Sequence, residues 1–281
     1  MLIHVVKPGD TVYSIALEYG IPMSQLILDN GLETSSRLAV GQALVVQFPT
    51  QTHTVHPGET LASIAAAYQL PLRQLYRNNP ILGGIPEIYP GQTLVLAYDS
   101  TPEATLSVNG YAYPYIEPSL LRKTSAYLTH VIPFTYSFTP QGELIPLDDQ
   151  EVLCISRSMG AGALLHLSSF VEDEGFSDSL AHQVLSNLEI QNRLITNLEQ
   201  ILHQRGYNGI DVDFEFIFPE DAELYAKFIH QLAKRLNPQG LSVTVALVPK
   251  TSADQPGVLY EGHNYALLGQ AANDVFLMTY E

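Results

Sequence analysis

The 281-residue sequence predicts a multidomain protein: two small α+β modules in tandem, each βααβ, then an α/β barrel of (β/α)8 type with about six βα units. Three observations predict it. The first hundred residues repeat at an offset of 49. From Leu106 onward, apolar strand-like runs alternate with helix-like ones, the pattern of a parallel sheet. The charge is unevenly divided: residues 1–98 hold 4 Lys+Arg against 6 Asp+Glu, whereas residues 99–281 hold 9 against 23. The expected modules are 1–48 and 52–98, with a linker at 99–105 and the barrel at 106–281.

The repeat is direct. HVVKPGDTVYSIALEYGIPMSQLILDN at His4–Asn30 aligns with HTVHPGETLASIAAAYQLPLRQLYRNN at His53–Asn79. In each copy a short β run meets Pro-Gly-Asp/Glu-Thr, and the threonine suits a helix N-cap. Val12, Ile15, Ala16 and Tyr19 form the apolar stripe of that helix. Gly20 suits its C-cap, Pro22 and Pro71 suit the start of a second helix, and a Gly-Gln turn leads to the last strand. FPTQT at 48–52 reads as a short connection.

The PGDT/PGET and GQxL patterns resemble the LysM module, a βααβ unit. The resemblance implies binding of N-acetylglucosamine-containing glycans in a shallow groove between two loops. Carried over, those loops are Gly9, Asp10 and Thr11 with the segment after Asn30, and Gly58, Glu59 and Thr60 with Asn79, Pro80 and Ile81. The alternative for these residues is that they only cap and turn.

In the larger region, LSVNGYAY, LTHVIPFTYSF and GALLHLSSF read as three strands. Ser177–Arg205 carries apolar residues at helical spacing. IDVDFEF is the fourth strand, and PEDAELYAKFIHQLAKRLNPQG is a helix with acids at its start and Lys234 and Arg235 at its end. LSVTVALVP and NDVFLMTYE complete six strands.

Asp211, Asp213 and Glu215 alternate with Ile210, Val212 and Phe214. In a strand this puts the three acids on one face, about 7 Å apart, and the apolar set on the other. Glu215 is expected nearest the C-terminal end of its strand, where barrel active sites lie. Stacked carboxylates are costly unless protons are shared or hydrogen bonds supplied. A solvated acidic edge, an oxygen-ligated Mg²⁺ or Ca²⁺ site and acid–base catalysis are the open readings. The apolar alternation counts against the edge, and the absence of a neighbouring His in sequence counts against the metal. Acid–base catalysis is the reading we carry forward, with no metal and no cofactor.

NGIDVDFE resembles the DGxDxDxE signature of glycoside hydrolase family 18, with FTYSF and MTYE at matching places. With two leading LysM modules, the chain resembles the spore cortex-lytic N-acetylglucosaminidases. Asn208 departs from the usual Asp, and its amide can make similar turn contacts. The resemblance implies a TIM barrel and a retaining mechanism in which the substrate's own acetamido oxygen attacks. It makes Glu215 the general acid and base, Asp213 the group that orients the acetamido, Asp211 its proton-sharing partner and Tyr280 a donor to the acetamido carbonyl. Tyr113, Phe134, Tyr136, Met278 and Glu281 would line the sugar site. His166 reads as a packed core histidine and Cys154 as a buried helical residue.

A complete barrel needs about 250 residues, and 176 remain from Leu106. The barrel is therefore expected to be open after the sixth strand, with exposed edges and weak activity. The family's floor tryptophan has no counterpart, since the sequence has no Trp. A net charge of −16 argues against nucleic acid or an anionic membrane as partner. One cysteine excludes an intrachain disulfide. The N-terminus lacks a signal-peptide pattern, and no 18-residue apolar run is present. The expected partner is peptidoglycan or a related glycan, and the expected location is a spore layer or the cell wall. The alternative functions are a catalytically silent glycan-binding protein and a chitinase; oligomeric state is open.

Overall fold

A computed structural model of the chain describes residues 1–33, 37–99 and 104–280. By internal contacts these fall into two compact units, Met1–Ser107 with Arg122–Tyr127, and Val108–Leu121 with Leu128–Glu281.

In the first unit, β1 (Leu2–Val5), α1 (Val12–Tyr19), α2 (Met23–Asp29) and β2 (Ala43–Val46) form one βααβ module. β3 (Pro49–Thr54), α3 (Leu61–Ala67), α4 (Leu72–Asn78) and β4 (Thr93–Tyr98) form the other. Each has a two-stranded antiparallel sheet, β1–β2 or β3–β4. The stretch expected as a connection at 48–52 is mostly the opening of β3. Thr11 and Thr60 cap their helices with reciprocal bonds to Ser14 and Ser63. Gly20 closes α1 at φ 66°, and Gln69 adopts the same left-handed conformation, φ 56°, in the second copy. Ile15, Leu26, Leu44 and Val46 make the first core. Asn30 closes the module: its Nδ2 donates to the carbonyls of Leu26 and Val45, and its Oδ1 accepts from Val45 N–H at 2.7 Å. Asn79 does the same with Leu75 and Val95.

The second unit holds β5 (Asn109–Ala112), α5 (Pro118–Ser125, shared with the first), β6 (His130–Pro133), β7 and β8 (Ser137–Phe138 and Leu144–Ile145, a hairpin), α6 (Gln150–Ser158), β9 (Gly162–Ser168) and a second hairpin, β10 and β11 (Phe170–Val171 and Gly175–Phe176). α7 (Asp178–Leu185), α8 (Leu188–Arg205), β12 (Gly209–Asp213), α9 (Ala222–Leu236), β13 (Ser242–Leu247), α10 (Tyr265–Ala271) and β14 (Asp274–Leu277) follow. Six strands form one parallel sheet in the order β14-β13-β12-β9-β6-β5, a half-barrel. The helical run 177–205 is two helices, because Asn187 accepts from the N–H groups of Glu189 and Ile190 and starts α8 afresh. Asn208 binds the backbone of Ala163 through its Oδ1 at 2.9 Å, tying β9 to the turn before β12.

The main core lies between sheet and helices. Ile210, Val212 and Phe214 pack there with Leu194, Leu198 and Ile229. Phe214 stacks on Tyr225 and Phe228, at 5.5 and 5.9 Å between centroids. Burying such side chains stabilises by about 1.5–3 kcal/mol each. Cys154 is exposed on α6, contrary to the expectation of burial. The inward stripe of α6 is Val152, Leu153, Ile155 and Ser156, which leaves residue 154 facing outward. Among the described residues, no helix is long and apolar enough to cross a membrane.

Candidate active site

The apolar face of β12 goes to the core, and its acidic face goes to the interior of the half-barrel. Asp211 is fully buried and Asp213 nearly so. The strand ends at Asp213, so Glu215 sits in the segment just beyond it, half-buried. Register sets the neighbours: Asp211 lies beside His166 of β9, and Asp213 beside Ser168. Residues opposite each other in register share a face, so His166 faces the acids.

His166 is the residue the sequence reading misplaced. It is buried as expected, yet it belongs to the site. Its Nε2 lies 3.4 Å from Asp213 Oδ2 and 3.8 Å from Asp211 Oδ2, in ion-pair range but without hydrogen-bond geometry. Its Nδ1 is 2.6 Å from the hydroxyl of Thr135. Tyr111, also missed, donates its hydroxyl to Asp211 Oδ2 at 2.7 Å and sets its ring edge-on to His166. A signal for each was present: His166 interrupts an apolar run at strand parity, and Tyr111 shares parity with Tyr113.

Burial raises the Asp211 carboxyl from 3.8 to about 6, against the opposing effects of His166 and the Tyr111 hydroxyl. Burial likewise pushes the Tyr111 phenol far above its ordinary value, with the Asp211 charge adding to it. Oδ1 of Asp211, Oδ1 of Asp213 and Nε2 of His166 are buried with no hydrogen-bond partner. Three such atoms converging on one place are unusual outside sites that await a ligand or a proton.

A cavity of about 380 Å³ opens over this cluster, lined by Tyr111, Tyr113, Phe134, His166, Asp213, Glu215, Met278 and Tyr280. A second cavity of about 360 Å³ adjoins Glu215, Met278 and Tyr280 from the side of Val248–Pro249 and Leu259–Tyr260. The structure therefore brings Asp213, Glu215, Tyr280, Tyr113, Phe134 and Met278 to one cavity, with Asp211 directly beneath. Tyr136 is not there. It is buried in the core, and its hydroxyl donates to Asp149 at 2.7 Å alongside that of Tyr207. Glu281 lies outside the described residues.

The segment carrying Glu215 is held from behind. Nε2 of His263 lies 3.1 and 3.0 Å from the carbonyls of Phe214 and Glu215, so that nitrogen carries the proton. Burial lowers the His263 pKa, which keeps the ring neutral. A Cβ on Gly262 would stand 2.3 Å from the carbonyl oxygen of Ile217, so the two segments touch backbone to backbone.

In the small modules, the glycan-site candidates are turn residues. Gly9 and Gly58 take φ of 93° and 86°. Asp10 accepts from Lys7 N–H and contacts His4, while Glu59 accepts from His56 N–H and contacts His53. Thr11 and Thr60 are caps. Pro80 opens a short 3-10 turn, and Ile81 within it is exposed. The loop after Asn30 includes residues 34–36, which lie outside those described.

Comparison with known proteins agrees with this division. Residues 4–47 and 53–97 match the LysM domain, and residues 163–281 match glycosyl hydrolases family 18. The chain is 36% identical to the cortical fragment-lytic enzyme of Bacillus anthracis over 98% of its own length and 65% of that protein. It is 33% identical to the Bacillus subtilis enzyme of the same name, over 100% and 66%. The crystal structure of the Bacillus cereus spore cortex-lytic enzyme SleL superposes with a TM-score of 0.70 at 33% identity, covering 99% of this chain and 65% of that one. The chain thus spans about two thirds of the length of the curated relatives it matches. Two LysM-type segments thus stand ahead of a segment that matches glycosyl hydrolases family 18, and over nearly its whole length the chain is similar to the cortical fragment-lytic enzymes of Bacillus.

Proposed function

We propose that the protein is a cell-wall glycosidase. Its LysM modules hold peptidoglycan, and its half-barrel cleft hydrolyses β-1,4 bonds that follow N-acetylglucosamine, with spore cortex fragments as substrate. The observation that carries this reading is the buried Asp211–Asp213 pair under a cavity whose mouth holds Glu215 and Tyr280.

Glu215, at the rim, protonates the glycosidic oxygen and later takes a proton from water. Asp213, next in line, orients the substrate acetamido and balances the positive charge that grows on it. The acetamido oxygen is the nucleophile, so the anomeric configuration is retained without a covalent enzyme intermediate. Asp211, raised to about 6 by burial, is the reservoir that lets one proton be shared along the strand near neutral pH. Tyr280 donates to the acetamido carbonyl, while Tyr113, Phe134 and Met278 wall the sugar. No metal or cofactor enters these steps. Such an enzyme works at the spore cortex or cell wall.

The test is hydrolysis of cortex muropeptides and of chitin oligomers by the protein, with products identified by mass spectrometry. The expected result is cleavage of the muropeptides after N-acetylglucosamine, and loss of turnover by about 10²-fold or more in Glu215→Gln with substrate affinity kept. Equal cleavage of a de-acetylated substrate would overturn the mechanism, and a preference for chitin would overturn the substrate.

A further inference from the structure

Away from the cleft, the second LysM module carries a side-chain cluster with metal-ligand chemistry. His53 on β3 and His56 and Glu59 in the following turn each offer one ligand atom, all within 4.8 Å of one another. Nε2 of His53 is 2.7 Å from Glu59 Oε2, and Nδ1 of His56 is 3.4 Å from the same oxygen. The other nitrogen of His53 contacts the Tyr68 hydroxyl at 3.1 Å. Metal-ligating histidines are oriented by contacts of that kind.

The first module is an internal control. His4 repeats the arrangement, with Tyr19 at 3.0 Å and Asp10 at 3.0 Å. In both modules the carboxylate also accepts the backbone N–H three residues earlier, at 2.7 Å. The His–carboxylate–Tyr frame is therefore shared turn architecture. The carboxylate is one methylene longer in the second module, Glu59 for Asp10, and position 56 is His where the first module has Lys7. The imidazole of His56 is 72% exposed, reaches toward Glu59 at 3.4 Å and meets the His53 ring edge-on at 5.5 Å, so all three side chains are already gathered. Its addition turns a two-group frame into three groups of ligand type.

We propose that His53, His56 and Glu59 form a divalent metal site of the zinc class, with solvent completing the coordination. Two imidazoles and one carboxylate suit Zn²⁺ far better than Mg²⁺ or Ca²⁺, which prefer all-oxygen sets. Tetrahedral ligands at about 2.0 Å from zinc stand about 3.3 Å apart. The His56–Glu59 separation already fits, and the His53–Glu59 pair opens by about half an ångström as zinc displaces the proton between them.

Equilibrium dialysis of the full chain against micromolar zinc chloride at neutral pH, with bound zinc counted by atomic absorption, tests this. Wild type retains one equivalent more than His56→Lys, a variant that copies the first module and should melt as wild type does without zinc. Lys7→His gains a further equivalent. Magnesium and calcium at the same concentration do not displace the zinc. Zinc retention that is the same in wild type and His56→Lys, no gain in Lys7→His, or displacement by calcium would each overturn the assignment.

Discussion

Replacing Asp211 by Asn should make the second unit more stable at neutral pH and not at acid pH. The carboxyl of Asp211 takes up its proton near pH 6 in the fold and near 3.8 in the unfolded chain. Below 3.8 both states are protonated, and the group favours the fold fully. As pH rises from 3.8 through about 6 that contribution is lost, because the unfolded carboxylate ionises freely while the buried one does not. At 1.36 kcal/mol per pH unit, the loss amounts to about 3 kcal/mol. Asn keeps an oxygen for the Tyr111 hydroxyl and has no charge to lose. The stability of Asp211→Asn relative to wild type should therefore climb by about 3 kcal/mol between pH 3 and pH 8. For a unit of this size that is a relative rise of about 6–12 °C in Tm. Scanning calorimetry of both proteins at intervals across that range gives the difference curve directly, and titrating groups that do not face Asp211 cancel in it. A difference that stays level with pH, or that falls, would show that the burial of Asp211 is not what raises its pKa.

Tyr111→Phe removes the hydroxyl that opposes this rise, a charge-assisted bond of about 1.5–3 kcal/mol; the acid-side stability transition should move up by about one to two pH units, and an unmoved transition would contradict the contact. Asn79→Ala leaves Val95 without partners for its N–H and C=O and should cost the second module about 2–3 kcal/mol, read as faster hydrogen exchange at Val95; unchanged exchange would refute it. Gly262→Ala forces the loop against Ile217 and should lower turnover of cortex fragments about tenfold or more through the Glu215 segment, with peptidoglycan pull-down by the LysM modules intact. Wild-type turnover in that variant would separate the loop from the site.

The half-barrel and its acids were legible because parity within a regular strand is strict. Asp211 and Asp213 share a face with no tertiary knowledge at all. Tyr136 came from family position and not from parity: β6 ends at Pro133, and beyond it the chain carries Tyr136 into the core, where its hydroxyl meets Asp149. His166 was hidden by distance, since its partners lie on a strand 45 residues later, and only the β9–β12 pairing brings them together. Tyr111 was hidden in the same way. Cys154 sat among apolar neighbours, and the helical stripe rather than local composition decided its side. Glu215 lay one step past regular structure, where a strand argument gives direction but not the loop that supports it from behind.

The asparagine that closes each LysM module has a consequence for how such modules can be strung together. A lone pair of strands leaves the outward peptide groups of each strand open to a neighbour. Asn30 and Asn79 place a primary amide, the same donor and acceptor pair as a peptide bond, against Val45 and Val95. The side chain stands in for a third strand one residue long. With that seat occupied, β2 and β4 cannot recruit each other, or a copy from another molecule, at those positions. Tandem copies of one small sequence would otherwise be natural partners for mispairing. One amide per module keeps the strand pair of each copy to itself at those positions.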